Sequence, residues 1–195
     1  MAEGEAVSRR TKVLLLSSGA LLVFLPTRAF AGDAECVWNH LSAAAHQSVF
    51  AAYEQGGVDA LDQAQIDDTA VIASFRACTR NPSAIPSRAI GPALVGASLE
   101  HAATSHLKVA EGVSPARLDR AWRGLTPTEQ QSLRTAYLTS DADIPRATIA
   151  AIDKAVGMAG YKLAPGAHVI GDPRYRHYAD YFEGRAQREA YEQRF

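Results

Sequence analysis

The chain lacks several features that would point to a functional class at once. It has 195 residues, only two cysteines and two tryptophans, and 21 acidic residues against 20 basic ones. A charge so close to zero excludes the basic footprint of a nucleic-acid-binding protein. The only long apolar run, residues 13–26, excludes a membrane protein with several spans. What is present is an apolar content of 47%, which fits a globular domain and excludes a disordered polymer.

Residues 1–31 have the pattern of a cleavable export signal peptide. A positively charged start at 9–12 precedes an apolar stretch at 13–25 and a small-residue cleavage site at 29–31. The apolar stretch is shorter than the roughly 20 residues that a membrane-spanning helix needs. We therefore expect a periplasmic or secreted protein with no stable transmembrane anchor after cleavage, whose mature part, 32–195, is a single helical domain.

Two export routes are compatible with this signal. Ser8-Arg9-Arg10 resembles the start of a twin-arginine signal. Lys12 stands where that signal usually carries an aromatic residue, so the Sec route is favoured.

The two cysteines, Cys36 and Cys78, predict one structural disulfide, because paired cysteines are typical of oxidising compartments. Apolar residues at helical spacing predict one helix from Trp38 to the Gly56-Gly57 pair and a second over about 67–79. If the two helices form an antiparallel hairpin, the start of the first lies beside the end of the second. This arrangement places Cys36 next to Cys78. A separation of 42 residues is unlike the C-x-x-C spacing of redox-active pairs.

Further helices follow along the chain. An apolar stripe that includes Val95 predicts a helix over 92–111. Ser114-Pro115 and Thr126-Pro127 are helix starts, and Thr126 with Glu129 fits a capping box. The sequence thus predicts an all-α fold, a disulfide-braced bundle of six to seven helices.

The last part of the chain contains one exception to the helical pattern. A helix is predicted from near Pro145 to Gly160, with Ile149 among its buried residues. Residues 161–170 then place two short apolar runs around Pro-Gly, which fits either a short β-hairpin or an irregular loop. A C-terminal amphipathic helix is predicted over about 173–194.

This C-terminal helix carries the candidate binding residues. Tyrosine and arginine together are enriched at interaction hot spots, whereas the simpler interpretation is a helix that docks on the bundle. The candidates are Arg174, Tyr175, Arg176, His177, Tyr178 and Tyr181.

Neither a catalytic motif nor a cofactor motif is recognisable. His40 and His46 are six residues apart and His101 and His106 five, whereas a helical histidine pair that binds metal needs a spacing of three or four. We therefore expect no metal and no cofactor. His106, within the apolar stripe of its helix, is expected to be a hydrogen-bonded core histidine.

Three hypotheses for function remain. The leading one is an exported, non-enzymatic module that binds a protein partner in the cell envelope or a small ligand, with no nucleic acid involved. An alternative is an envelope enzyme that uses His168 or His177 with Arg174, Arg176 and Tyr178. The third is a membrane-associated structural protein retained by an uncleaved N-terminus.

Overall fold

The computed structural model describes residues 34–79, 88–138, 145–162 and 171–193. Within these ranges the regular structure is all helical, without a strand, as the sequence predicts. None of the helices described is both long and apolar enough to cross a membrane. The helices are α1 (Ala34–His40), α2 (Ala43–Gly56), a 3₁₀ helix (Gly57–Gln63), α3 (Asp68–Cys78), α4 (Ile90–Ala110), α5 (Pro115–Arg123), α6 (Pro127–Ala136), α7 (Arg146–Ala159) and α8 (Pro173–Glu192).

The first predicted helix is in fact two helices, which raises the number of α-helices in the described ranges to eight. α1 ends at His40, and α2 begins at Ala43. Ser42 between them has extended backbone, and its hydroxyl accepts a hydrogen bond from the N–H of Ala45. A serine in this role satisfies a donor that the first turn of a helix leaves free. The apolar spacing continues through the break, which is why periodicity alone did not reveal it.

α1 packs against α3, and this contact brings the two cysteines together. Asp67 caps the start of α3, and Cys78 is its last residue. Cys36 and Cys78 form a disulfide with their Cα atoms 5.9 Å apart. The pairing expected from a hairpin of two helices is therefore present, with the short α1 in the place of the longer predicted helix.

The predicted helix starts in the middle of the chain are confirmed. In α6 the side chain of Thr126 accepts from the N–H of Glu129, and the Glu129 carboxylate accepts from the N–H of Thr126. α7 ends at Gly160, whose φ of 100° lies in the left-handed region that favours glycine.

α4 and α8 run antiparallel and form the centre of the fold. The C-cap of α4, Glu111, meets Arg174 in the first turn of α8, while the carbonyl of Pro92 accepts from Gln187 near the other end. The helices touch closely where Gly96 faces Gly184. α8 also packs against α6 and α7, so it is buried on several sides. Its buried residues include Tyr178, Asp180, Tyr181, Phe182, Ala186 and Ala190.

One expectation about the core is wrong. Ile149, predicted to be buried, is 47% exposed, and Val95 in the apolar stripe of α4 is 51% exposed. Helical periodicity identifies the apolar side of a helix, but how much of that side is covered depends on where the neighbouring helices cross it.

Three of the predicted segments lie outside the described residues. They are the export signal at 1–31, most of the possible hairpin at 161–170, which includes His168, and the C-terminal end of the last helix beyond 193.

Candidate functional site

The six candidate residues of the C-terminal helix divide into a surface group and a buried group. Arg174 and Arg176 have side chains that are 56% and 51% exposed, and His177 is partly buried. Tyr175 is also partly buried, and its hydroxyl donates to Asp153 on α7 at 2.6 Å. Tyr178 and Tyr181 are each only 3% exposed. The last two tyrosines therefore belong to the packing of α8.

His177 is held by a chain of hydrogen bonds that links α8 to α2. The hydroxyl of Tyr53 donates to Asp180 Oδ2 at 2.8 Å, and the Tyr53 hydroxyl oxygen also lies 2.8 Å from His177 Nδ1. Because a phenol has only one proton to donate, His177 Nδ1 must carry the hydrogen of the second bond. Nε2 of a neutral His177 therefore keeps its lone pair.

A second histidine, His106 on α4, lies directly against His177. Their ring centroids are 3.8 Å apart, with the ring planes tilted by 33°. His106 Nδ1 lies 2.9 Å from a carboxylate oxygen of Glu54 on α2. The histidine expected in the core is hydrogen bonded, as predicted, but it lies at the edge of the core with a side chain that is 21% exposed.

The pKa values of Asp180 and His177 are shifted in opposite directions, and in both cases the neutral form is favoured. Burial raises the pKa of Asp180 to about 6, even though Arg176 Nε, 2.7 Å from Oδ1, favours its charged form. Burial, and after it the neighbouring His106, lowers the pKa of His177 below its usual value. Burial and Asp180 also raise the pKa of Tyr53, so that Tyr53 stays a proton donor. The cluster therefore contains one carboxyl group, Asp180, that changes charge near pH 6, and one imidazole, His177, whose neutral form is favoured by burial.

Arg174 extends the cluster toward the start of α8. Its Nε and Nη2 atoms donate to the two carboxylate oxygens of Glu111 at 2.8 and 2.6 Å. This two-point contact lowers the pKa of Glu111 and is the geometry in which arginine recognises a carboxylate most specifically. The guanidinium carbon also lies 5.9 Å from the centre of the Tyr161 ring.

These contacts define one surface, which we call the α8 polar face. It is formed by α2, α4 and α8 and by the residue that caps α4. Its members are Glu54, His106, Glu111, Arg174, Arg176 and His177.

A second group of charged side chains connects the opposite end of α8 to α4 and α5. Glu100, only 7% exposed, accepts from Arg188 Nε at 2.8 Å and from Arg185 Nη1 at 3.3 Å. Arg185 also reaches Asp119, 3.3 Å away. A buried carboxylate with two guanidinium partners serves to hold helices together, because either partner alone would be costly to bury. These residues could not be predicted from sequence, since nothing in the spacing of Glu100 and the two arginines indicates their pairing.

A third cluster surrounds the disulfide. His40 Nδ1 lies 3.6 Å from the sulfur of Cys36 and 3.5 Å from that of Cys78. It also lies 2.9 Å from the carbonyl oxygen of Cys36. Spacing between histidines alone does not reveal this cluster, whereas Cys36 and His40 are four residues apart on one helix. That mixed pair is the signal that would have drawn attention to this cluster.

A shallow groove of about 680 Å³ lies between α6 and the start of α7. Seven residues line it: Pro127, Thr128, Gln131, Ser132, Thr135, Ala136 and Pro145. Neither His177 nor any other residue of the α8 polar face is among them, so this groove does not bring the proposed catalytic groups together.

Comparison with known proteins gives no family for this chain. No protein-family model, no curated protein and no solved structure matches it.

Proposed function

We propose that this protein is an exported, non-enzymatic helical bundle that binds a protein partner in the cell envelope or a small ligand through the α8 polar face. The observation that carries this proposal is the joining of three helices at one partly exposed surface. There, the tilted imidazole rings of His106 and His177 lie against each other, and Glu54 contacts His106. The Arg174–Glu111 pair lies one helical turn before His177, and the exposed Arg176 is its neighbour on α8.

The exposure of the charged groups supports recognition at this surface. Arg174, Arg176 and Glu54 have side chains that are more than half exposed. Each is held by a contact from another residue, so little side-chain entropy remains to be lost when a ligand binds. Arginine held in this way is a common anchor of interfaces.

The packing beneath this surface supports a rigid site. Tyr178 lies buried against Tyr161, with ring centroids 5.6 Å apart. Tyr53 ties α2 to α8 through Asp180. Functional side chains are positioned more accurately on packed helices than on loops.

The disulfide supports the part of the proposal that concerns export. One disulfide in a small, all-helical chain is typical of an oxidising compartment. Intact-mass measurement of the protein purified from the cell envelope tests this part. A chain that begins at Gly32 supports export with cleavage, whereas a chain that retains residues 1–31 supports the membrane-associated alternative.

Binding is tested by capture from an envelope extract with full-length protein and charge-reversal variants. Truncation after Gly171 is unsuitable, because it removes α8, the central helix. We expect Arg174→Glu to abolish capture of a specific partner. Arg123→Glu is the matched control, since Arg123 is also an exposed arginine (72%) paired with a partly buried carboxylate, Asp119.

Two outcomes would count against the α8 polar face. One is a partner captured equally by the Arg174→Glu variant and the wild-type protein. The other is an equal loss of partner capture in the Arg123→Glu and Arg174→Glu variants, which would indicate a general effect of charge.

One observation favours a second candidate, the envelope enzyme. The chain Asp180–Tyr53–His177 holds an imidazole in one tautomer, as a general base requires. Arg176 is linked to this chain of hydrogen bonds by its ion pair with Asp180. Tyr178, the tyrosine of the enzyme hypothesis, is buried in the core and is not accessible to a substrate. An enzyme would lose turnover in the Tyr53→Phe variant while binding of its substrate remained, whereas a binding module would have no turnover to lose.

A further inference from the structure

The cluster of Cys36, His40 and Cys78 combines three potential metal ligands from two helices. Cys36 and His40 lie one turn apart on α1, and Cys78 ends α3. The three ligand atoms lie within 4.8 Å of one another, and His40 is exposed to solvent. In the oxidised chain the two sulfurs are bonded to each other, so the cluster is not a metal site in that state.

The distances around His40 match those of a tetrahedral zinc site. With Zn–S bonds of about 2.3 Å and a Zn–N bond of about 2.0–2.1 Å, tetrahedral angles place a ligand nitrogen about 3.5 Å from each sulfur. His40 Nδ1 lies 3.6 and 3.5 Å from the two sulfurs. The same geometry needs the sulfurs about 3.8 Å apart, a separation they can reach by side-chain movement once the S–S bond is broken.

We propose that the reduced chain binds Zn²⁺ through Cys36 Sγ, Cys78 Sγ and His40 Nδ1, with water in the fourth position, so that the disulfide and the zinc ion are alternative cross-links between α1 and α3. The site is independent of the α8 polar face, because none of its three residues belongs to that surface.

The chemistry of the exchange balances with a thiol reductant. Two reductant thiols supply two electrons and two protons: the S–S bond of the protein breaks, two S–H bonds form, and the reductant becomes a disulfide. Zinc then displaces the two thiol protons, because thiolates are the ligands. The proton on His40 Nδ1 moves to Nε2, and the contact between Nδ1 and the Cys36 carbonyl at 2.9 Å is lost.

Replacement of one cross-link by another has a structural consequence. The disulfide stabilises the chain by restricting the unfolded state, and reduction removes that restraint. Zinc held by ligands on α1 and α3 closes the same loop of the chain. We therefore expect reduced protein to regain thermal stability when zinc is added.

The experiment uses the full chain, reduced under anaerobic conditions by a water-soluble phosphine. The phosphine gives two electrons to the S–S bond and takes the oxygen of one water molecule to become its oxide, and the two protons of that water go to the thiols. Zn²⁺ is titrated against a chromophoric chelator, and Co²⁺ is used in a parallel titration to reveal thiolate ligation by its charge-transfer absorption. We expect one zinc per reduced chain, none per oxidised chain, and at least about tenfold weaker binding in the His40→Ala variant. Asn39→Ala, a change at the neighbouring exposed residue, is the control and should bind as wild type.

Circular dichroism of the reduced chain accompanies the titration. If the reduced chain unfolds, zinc should restore its helicity, and the His40→Ala variant should need at least about tenfold more zinc. Binding that is equally tight in oxidised and reduced protein would overturn the proposal. So would equal affinity in wild type and the His40→Ala variant, because the imidazole would then not be a ligand.

Discussion

The crossing of α4 and α8 depends on two facing glycines, and this dependence is directly testable. A Cβ atom at Gly96 would lie 2.5 Å from the backbone nitrogen of Arg188 and 2.7 Å from the carbonyl oxygen of Gly184. Comfortable contacts between heavy atoms are about 3.5 Å or longer. Both neighbours are backbone atoms, so no side-chain rotation can relieve the overlap, and the Gly96→Ala variant must separate the helices.

The expected cost is a balance of two effects. Inserting a methyl group into a well-packed contact costs about 1–3 kcal/mol. Replacing glycine by alanine inside a helix returns roughly 0.5–1 kcal/mol. Separation of the helices would also stretch the Arg188 contact with Glu100, now 2.8 Å. We therefore expect the free energy of unfolding of the Gly96→Ala variant to fall by about 1–2 kcal/mol.

Urea unfolding, followed by far-ultraviolet circular dichroism, measures this change. Gly157→Ala is the control, because Gly157 is also helical and a Cβ there meets no atom within 4 Å. We expect its unfolding midpoint to rise, while that of Gly96→Ala falls with little change in slope. A Gly96→Ala variant as stable as wild type would refute the close crossing of α4 and α8.

Two further predictions concern Asp180 and the start of α6. Because burial raises the pKa of Asp180 from 3.8 to about 6, the folded chain binds a proton that the unfolded chain releases. The stability that this bound proton contributes is complete below pH 3.8 and is lost as the pH rises through about 6. The loss in the free energy of unfolding amounts to about 3 kcal/mol. Thermal melts across this range should therefore show wild type losing stability relative to Asp180→Asn, and parallel profiles would contradict the buried carboxyl. Thr126→Ala should lower the free energy of unfolding by about 1 kcal/mol through loss of the N-cap, with the exposed Thr128→Ala as control; equal effects in a urea titration would contradict the capping role.

Much of the secondary structure was predictable because its signals are local. The capping box of Thr126 and Glu129 involves groups only three residues apart, and both hydrogen bonds are present. Gly160 ends α7 because its left-handed backbone suits glycine. The break between α1 and α2 also has a local signal, Ser42, but the apolar pattern continues through it and conceals it.

The candidate site was only partly predictable. Arg174, Arg176 and His177 could be selected because their helix is rich in arginine and tyrosine. Tyr181 was selected with them, but it is buried because α8 is covered by α4, α6 and α7 rather than by one neighbour. His106 reaches His177 only through the antiparallel packing of α4 on α8, which no spacing along the chain specifies.

The helical class and the capping box of α6 were predictable from sequence, since they follow from periodicity and from groups near one another in the chain. The pairing of Cys36 with Cys78 was predictable for a different reason: the chain contains only these two cysteines. Tertiary structure alone decided which side of each helix is covered and which distant residues meet. The contact of the His106 ring with the His177 ring and the burial of Glu100 between two arginines are of this kind. The physical reason is that these contacts depend on where helices cross, and the crossing of α4 and α8 depends on how closely their backbones approach at Gly96 and Gly184.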